Sequence, residues 1–420
     1  MTQTIWFSEH SLRLRADVRP DGSITTQRST VRGMSVERHL GDGFTEHRFA
    51  DGDGLLATGC GGPTAQAADT LREVQDRPVF EVTAQHRDTL TTIAAETGAD
   101  LVLGVAQQQV AAGDPDHVRS THRFVATLLL TLTGADGTTH SQSIRWNPTD
   151  DPTTVVAAAA MRTAVQMRGR LDMPSAEEPP PDADLVLLPG FAGAFFHEIV
   201  GHPMEADVVA SGTSYLGERL GHRVAPPWLT VIDGGHMAAG GYRSAFDDEG
   251  ADCVTTRLID RGVTGRPMND LALALRLNTT RTGHGRRQSY RHPAIPRMTH
   301  TAAVVEPGVE VEEPAGDWIA PRGLRLDMMN IASGAFVFHA PISVLHRADG
   351  TTARLGPLRI VGDGTSALAK LRPYAHQVAG YLRATGGCGK LGQYPVLVSF
   401  ANAGFRLPAG SVGIRAVADA

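Results

Sequence analysis

The chain has 420 residues, 41% of them hydrophobic, and a formal net charge of −6. That length suits two or three domains with separate cores, and the mild acidity argues against nucleic acid as the main partner. Three widely spaced cysteines, Cys60, Cys253 and Cys388, exclude a disulfide framework and suit a reducing compartment. No apolar run reaches the ~18 residues of a membrane span, and residues 1–10 lack a basic segment followed by an apolar one. A cytoplasmic protein with no membrane segment is expected.

Residues 13–19 and 25–31 read as short strands broken at Pro20-Asp21-Gly22, a turn signal. Residues 34–40 form a third, ending at Gly41-Asp42-Gly43. Residues 64–75 and 84–97 read as helices, the second with Leu90, Ile93 and Ala94 on one face. Strands at 101–110 and 121–133 follow, then a helix over 151–170 that starts at Asp151-Pro152. Strands and helices mixed in this way predict an α+β domain over 1–174 with an antiparallel sheet. Ser175-Ala176-Glu177-Glu178-Pro179-Pro180-Pro181-Asp182 is the best boundary.

The second domain, 183–420, reads as β-rich. A strand over 184–189 leads into a helix over 193–202, and further strands are expected at 229–233, 253–260, 334–339, 355–361, 395–400 and 412–417. The run Ala335-Phe336-Val337-Phe338 suits a strand buried on both faces. Residues 365–374 suit one more helix, and the acidic stretch 309–317 a solvated loop.

The chemistry gathers at Phe195-Phe196-His197-Glu198-Ile199-Val200-Gly201-His202-Pro203-Met204-Glu205-Ala206-Asp207. Two imidazoles suit a metal, and Glu198 is placed to take a proton from water beside it. The spacing is H-E-x-x-x-H, one residue longer than the zinc-hydrolase H-E-x-x-H. At about 100° per residue, side chains five apart point roughly 140° away from each other on a regular helix. One metal therefore requires a distorted turn, and a π-bulge supplies the extra residue. Gly201 is flexible and Pro203 disfavours helical geometry at His202. A widened last turn, with both rings facing one cavity, is expected between His197 and Pro203. Candidates for a third ligand are Cys388, His222, His236, Glu205 and Asp207. Cys388 is flanked by glycines and lies two residues from Lys390, a cation able to stabilise its thiolate. Cys60 and Cys253 read as small buried hydrophobes.

Five stretches together resemble the TldD/PmbA metallopeptidase family. They are the H-E-x-x-x-H region with Glu205-Ala206-Asp207, Phe246-Asp247-Asp248-Glu249-Gly250, the segment from Gly285-Arg286-Arg287-Gln288-Ser289-Tyr290-Arg291-His292 through Pro296-Arg297-Met298-Thr299-His300-Thr301, Ser333-Gly334-Ala335-Phe336-Val337-Phe338, and Gly387-Cys388-Gly389-Lys390. The resemblance implies a zinc peptidase of the metal-bearing TldD type, with His197, His202 and Cys388 as ligands and Glu198 as the catalytic base. It implies unfolded or modified peptides as substrates, including precursors of peptide natural products, and a β-rich domain is expected to bind them as extended strands at a sheet edge. It also implies a dimer, with a TldE-like subunit lacking the metal motif or with a second copy. Two other readings stand beside it: a metal hydrolase of a non-peptide amide, and a non-catalytic partner subunit whose metal is structural.

Arg281, Arg286, Arg287, Arg291 and Arg297 crowd one stretch. They read either as a solvated or paired loop or as guanidiniums for a substrate carboxylate, with Arg291 and Arg297 the candidates. Asp247, Asp248 and Glu249 read as a turn with its charges in water, or as a site for a substrate amine or second cation.

Overall fold

The computed structural model describes residues 2–40, 44–57, 62–146, 155–176, 178–234, 241–382 and 386–417. Strands β1 (Gln3–Val18), β2 (Ile24–His39), β3 (Thr45–Asp51), β4 (Asp100–Gly113), β5 (Val118–Thr133) and β6 (Thr139–Trp146) form an antiparallel sheet in the order β3-β2-β1-β4-β5-β6. Side chains alternate between its faces. Leu12, Leu14 and Ala16 of β1 pack with Leu101, Leu103 and Val105 under helices α2 (Ala84–Thr97) and α3 (Ala157–Leu171). Helix α1 (Ala65–Asp76) sets Leu71 and Val74 against Trp6 and Met34. Phe7, Val110 and Ala112 point the other way and meet Phe246 and Tyr290 from the second half of the chain. Both α1 and α2 start on a threonine whose hydroxyl accepts from the first turn, as helix caps do.

The second half is built on an eleven-stranded sheet. At its middle, Ser399–Leu407 lies between His300–Val305, to which it runs parallel, and Asp184–Leu187, to which it runs antiparallel. A four-stranded sheet of Arg325–Met329, Ala335–Ala340, Leu358–Asp363 and Gly413–Ala416 stands apart from it. The main core joins the two. Phe195 packs on Phe336 and Phe338, with ring centroids 5.5 Å away in each case, and Phe196 on Phe405 at 4.8 Å. The helix bearing the H-E-x-x-x-H motif is anchored by these aromatic contacts. The architecture is the expected mixture of α and β with antiparallel sheets.

Several local expectations are corrected. The strands at 25–31 and 34–40 are one, β2, which runs through Gly33 because the Tyr290 ring occupies the place of a Cβ there. Gly41-Asp42-Gly43 and the helix start at Asp151-Pro152 lie outside the described residues. Residues 335–338 have one buried face and one half-covered: Phe336 and Phe338 are fully enclosed while Val337 is not. The strand over 355–361 is two, divided at Gly356-Pro357, and 395–400 likewise divides between Gln393–Val396 and Ser399–Leu407. The helix over 365–374 is only Gly364–Lys370, since Pro373 pushes Arg372 into extended geometry and opens the strand Arg372–Leu382. Asp247, Asp248 and Glu249 are not in water but buried, at 1–3% exposure.

Candidate metal centre

Helix α4 (Gly193–Phe196) continues into a π-helical turn, His197–Gly201, and a 3-10 turn, His202–Met204. The His202 N–H donates to the His197 carbonyl, five residues back, so the turn holds one residue more than an α-turn. The two imidazoles consequently face each other with centroids 4.9 Å apart. Three features support the distortion. The Tyr215 hydroxyl donates to the Ile199 carbonyl. Gly201 leaves space that Met298 Sδ fills, where a Cβ would collide. Pro203 lacks the N–H that would carry the helix on.

Cys388 comes from far along the chain on the short strand Cys388–Lys390, paired with Gln393–Val396. Its Sγ lies 3.1 Å from His202 Nε2, and the donor atoms of His197, His202 and Cys388 all fall within 4.8 Å of one another. All three residues are buried. Around them, His202 Nδ1 lies 2.9 Å from Glu205 Oε2. Lys390 Nζ reaches the same Glu205 oxygen at 3.1 Å and Asp207 Oδ1 at 2.7 Å. Arg297 Nη2 donates to the Cys388 carbonyl at 2.7 Å. The Glu198 carboxylate stands 3.9 Å from His202 Nε2.

Burial opposes charge on every one of these groups, and their neighbours decide the outcome. Burial pushes the Cys388 thiol up, but His202 and His197 bring it well below its usual value. Burial pulls His202 down, but Cys388 and Glu205 hold it well above. Cys388 and His202 thus each favour the other's charged form. Glu205, raised by burial, is brought to about 2 by Lys390 and His202 and stays a carboxylate facing Nδ1. Glu198 is the exception, since burial raises it despite both histidines.

A cavity of about 1060 Å³ reaches the motif at Glu198 and is also bordered by Phe400, Gly387, Phe191 and Arg322; His197, His202 and Cys388 are not on its wall, so the expected cavity faced by both rings is met only through Glu198. The structure brings together His197, His202, Cys388 and Glu198, with Glu205 on the outer nitrogen of His202. His222 is exposed and turned to the Leu220 carbonyl; His236 and Cys60 lie outside the described residues. Asp207 is engaged by Lys390, whose ammonium goes to carboxylates rather than to the sulfur. Arg297 has no exposed surface, and its guanidinium goes to backbone carbonyls, so it is not presented to a substrate. Arg291 pairs with Asp51 at 2.8 Å and lies over the Tyr290 ring, outside this cluster. Arg322 and Arg325 are on the cavity wall, and sequence reasoning missed both. Arg322 Nε has no hydrogen-bond partner among the described residues, and burial with the nearby Arg170 charge lowers the pKa of Arg322 to about 10. No local signal marked Arg322, whereas the Glu205 contact follows from a three-residue spacing to His202.

Residues 181–386 match the family model described as the PmbA/TldA metallopeptidase C-terminal domain. A metalloprotease TldD homologue of Buchnera aphidicola is 30% identical over 227 residues, which are 53% of this chain and 46% of that protein. A zinc metalloprotease TldD homologue of Saccharolobus solfataricus is 30% identical over 151 residues, 35% of this chain and 32% of its own. The chain thus spans about half the length of the curated relatives it matches, or less. Among solved structures, TldE from Thermococcus kodakarensis shares the fold with a TM-score of 0.68 at 13% identity, over 99% of this chain and 97% of that one.

Proposed function

Because residues 181–386 belong to the PmbA/TldD metallopeptidase family, we propose that the chain is a zinc-dependent peptidase in which His197, His202 and Cys388 hold the metal and Glu198 is the general base. One observation carries this reading: two imidazoles and a thiol converge within 4.8 Å beside a half-buried carboxyl that borders a cavity. Two nitrogens and one sulfur suit zinc, and three protein donors leave the fourth position open, as in catalytic sites. Glu205 on the far nitrogen of His202 is the carboxylate–histidine support that metal ligands commonly have.

When bound, zinc supplies Lewis acidity for the scissile carbonyl. Glu198 accepts a proton from the attacking water and returns it to the leaving amine. Its partial burial suits the first task, because a carboxylate whose pKa is raised from its ordinary value is the stronger base toward water. Arg322 offers N–H donors to a peptide carboxylate or carbonyl in the cavity. The substrates are unfolded or modified peptides in extended form, natural-product precursors among them. The active assembly is a dimer with a TldE-like subunit or a second copy, working in the cytoplasm. In this reading 1–174 forms one domain and 183–420 the domain that carries the chemistry. Among the described residues no helix is long and apolar enough to cross a membrane.

The test is digestion of unfolded peptides by the purified chain, with and without a TldE-like subunit, read by mass spectrometry. Cleavage that disappears in Glu198→Gln while zinc remains bound is expected. Cleavage undiminished in that variant removes the proposed base, and zinc without cleavage of any peptide assigns the metal a structural role.

A further inference from the structure

Glu37 and His39 lie two apart on β2 and so share one face of the strand. Glu249 reaches them from the acidic turn of the second half. One donor atom of each falls within 4.8 Å of the others, and the residues are 1%, 3% and 1% exposed. Each side chain is held through one polar atom and leaves another unused. Glu37 Oε1 accepts from Arg287 Nη1 at 2.6 Å and from the Ala294 N–H at 3.0 Å. Glu249 Oε2 accepts from the Leu271 N–H at 2.8 Å. His39 Nδ1 lies 3.1 Å from Thr45 Oγ1; with that hydrogen donated, its Nε2 lone pair faces the carboxylates. Glu37 Oε2, Glu249 Oε1 and His39 Nε2 have no hydrogen-bond partner among the described residues.

The neighbouring acids differ. Both oxygens of Asp247 accept backbone N–H groups, and Asp248 is paired with Arg123. A buried carboxylate oxygen without a partner is costly, and here two of them and a ring nitrogen point at one space. His39 Nε2 and Glu37 Oε2 are 3.7 Å apart, too far for a hydrogen bond. That separation is near the ~3.4 Å between donors that each sit about 2.1 Å from a tetrahedral ion. Gly285 makes room for the Glu249 carboxylate, since a Cβ there would collide with Glu249 Oε2.

We propose that Glu37, His39 and Glu249 form a second, fully buried site for a divalent transition cation, zinc or manganese, which ties β2 to the acidic turn. One imidazole and two carboxylates suit such an ion; Arg287 already offsets Glu37, so the ion's charge chiefly compensates Glu249. The site is separate from the His197 cluster and holds structure rather than substrate.

The full chain carrying His197→Ala and His202→Ala isolates it from the centre proposed above. After incubation with Zn²⁺ or Mn²⁺ and desalting, elemental analysis should find one metal per chain, and adding Glu249→Gln should remove it. Metal added to the double variant should also raise its Tm, as does any ligand that only the folded state binds. If the double variant does not fold, Glu249→Gln alone should hold one equivalent fewer than the wild type. No retained metal and no rise in Tm with either ion would overturn the proposal and leave a shared proton as the occupant. Equal retention after Glu249→Gln and after His39→Phe would overturn it too, because the ion would lie elsewhere.

Discussion

The His197 cluster and the Glu37 cluster are built from similar side chains but by opposite means. In the first, one π-turn delivers two imidazoles from a single backbone segment, and only Cys388 travels from far away. In the second, β2 meets a turn from the other half of the chain, and no short segment holds a recognisable motif. The first borders a cavity through Glu198, whereas the second is shut in by Arg287, Leu271 and Ala294. A donor set beside open space can exchange its fourth partner for a substrate. A donor set closed by backbone N–H groups and a guanidinium has no such freedom and can only hold the fold together.

The strongest way to break this contrast is at Glu198. Glu198→Gln should lower kcat by ~100–10,000-fold with zinc still bound, as measured by peptide cleavage alongside elemental analysis. Retained activity would remove the distinction between an open catalytic cluster and a closed one. The supports of the first cluster come next. Glu205→Gln and Arg297→Met should each weaken zinc binding by ~10–100-fold in chelator competition, because one orients His202 and the other holds the Cys388 carbonyl. Unchanged affinity in both would mean that these buried contacts serve only packing. Gly201→Ala tests the turn itself. The added methyl meets Met298 Sδ, and overpacking of this kind costs ~1–3 kcal/mol, to be read from denaturant unfolding. Smallest should be Arg291→Ala. Its pair with Asp51 is exposed, so no measurable change in Tm or cleavage is expected. A clear loss of cleavage would restore Arg291 to the substrate.

Much of the first cluster was legible in the sequence. A five-residue histidine spacing is incompatible with one metal on a regular helix, and Gly201 with Pro203 marked where the helix would yield. The π-turn follows from that arithmetic. The helices over 64–75 and 84–97 and the turn at Pro20-Asp21-Gly22 are equally local, and the structure has them within a residue or so. The third donor was not readable in this way. Residue chemistry left five candidates, and among those the structure describes, what brings Cys388 beside the imidazoles is a strand held against Arg297 and Gln393.

The sequence by itself determined features set within a turn or two of backbone: the helices over 64–75 and 84–97, the turn at Pro20-Asp21-Gly22, and that His197 and His202 need a distorted turn to share one metal. Tertiary structure alone decided whether a charged side chain met water or another chain segment. Asp247, Asp248 and Glu249 look like a solvated turn until β2 and the 285–297 segment close over them. Arg291 and Arg297 are six apart, yet one is exposed and the other fully enclosed. Burial and partner depend on residues hundreds of positions away, and in a buried site they set both charge and role.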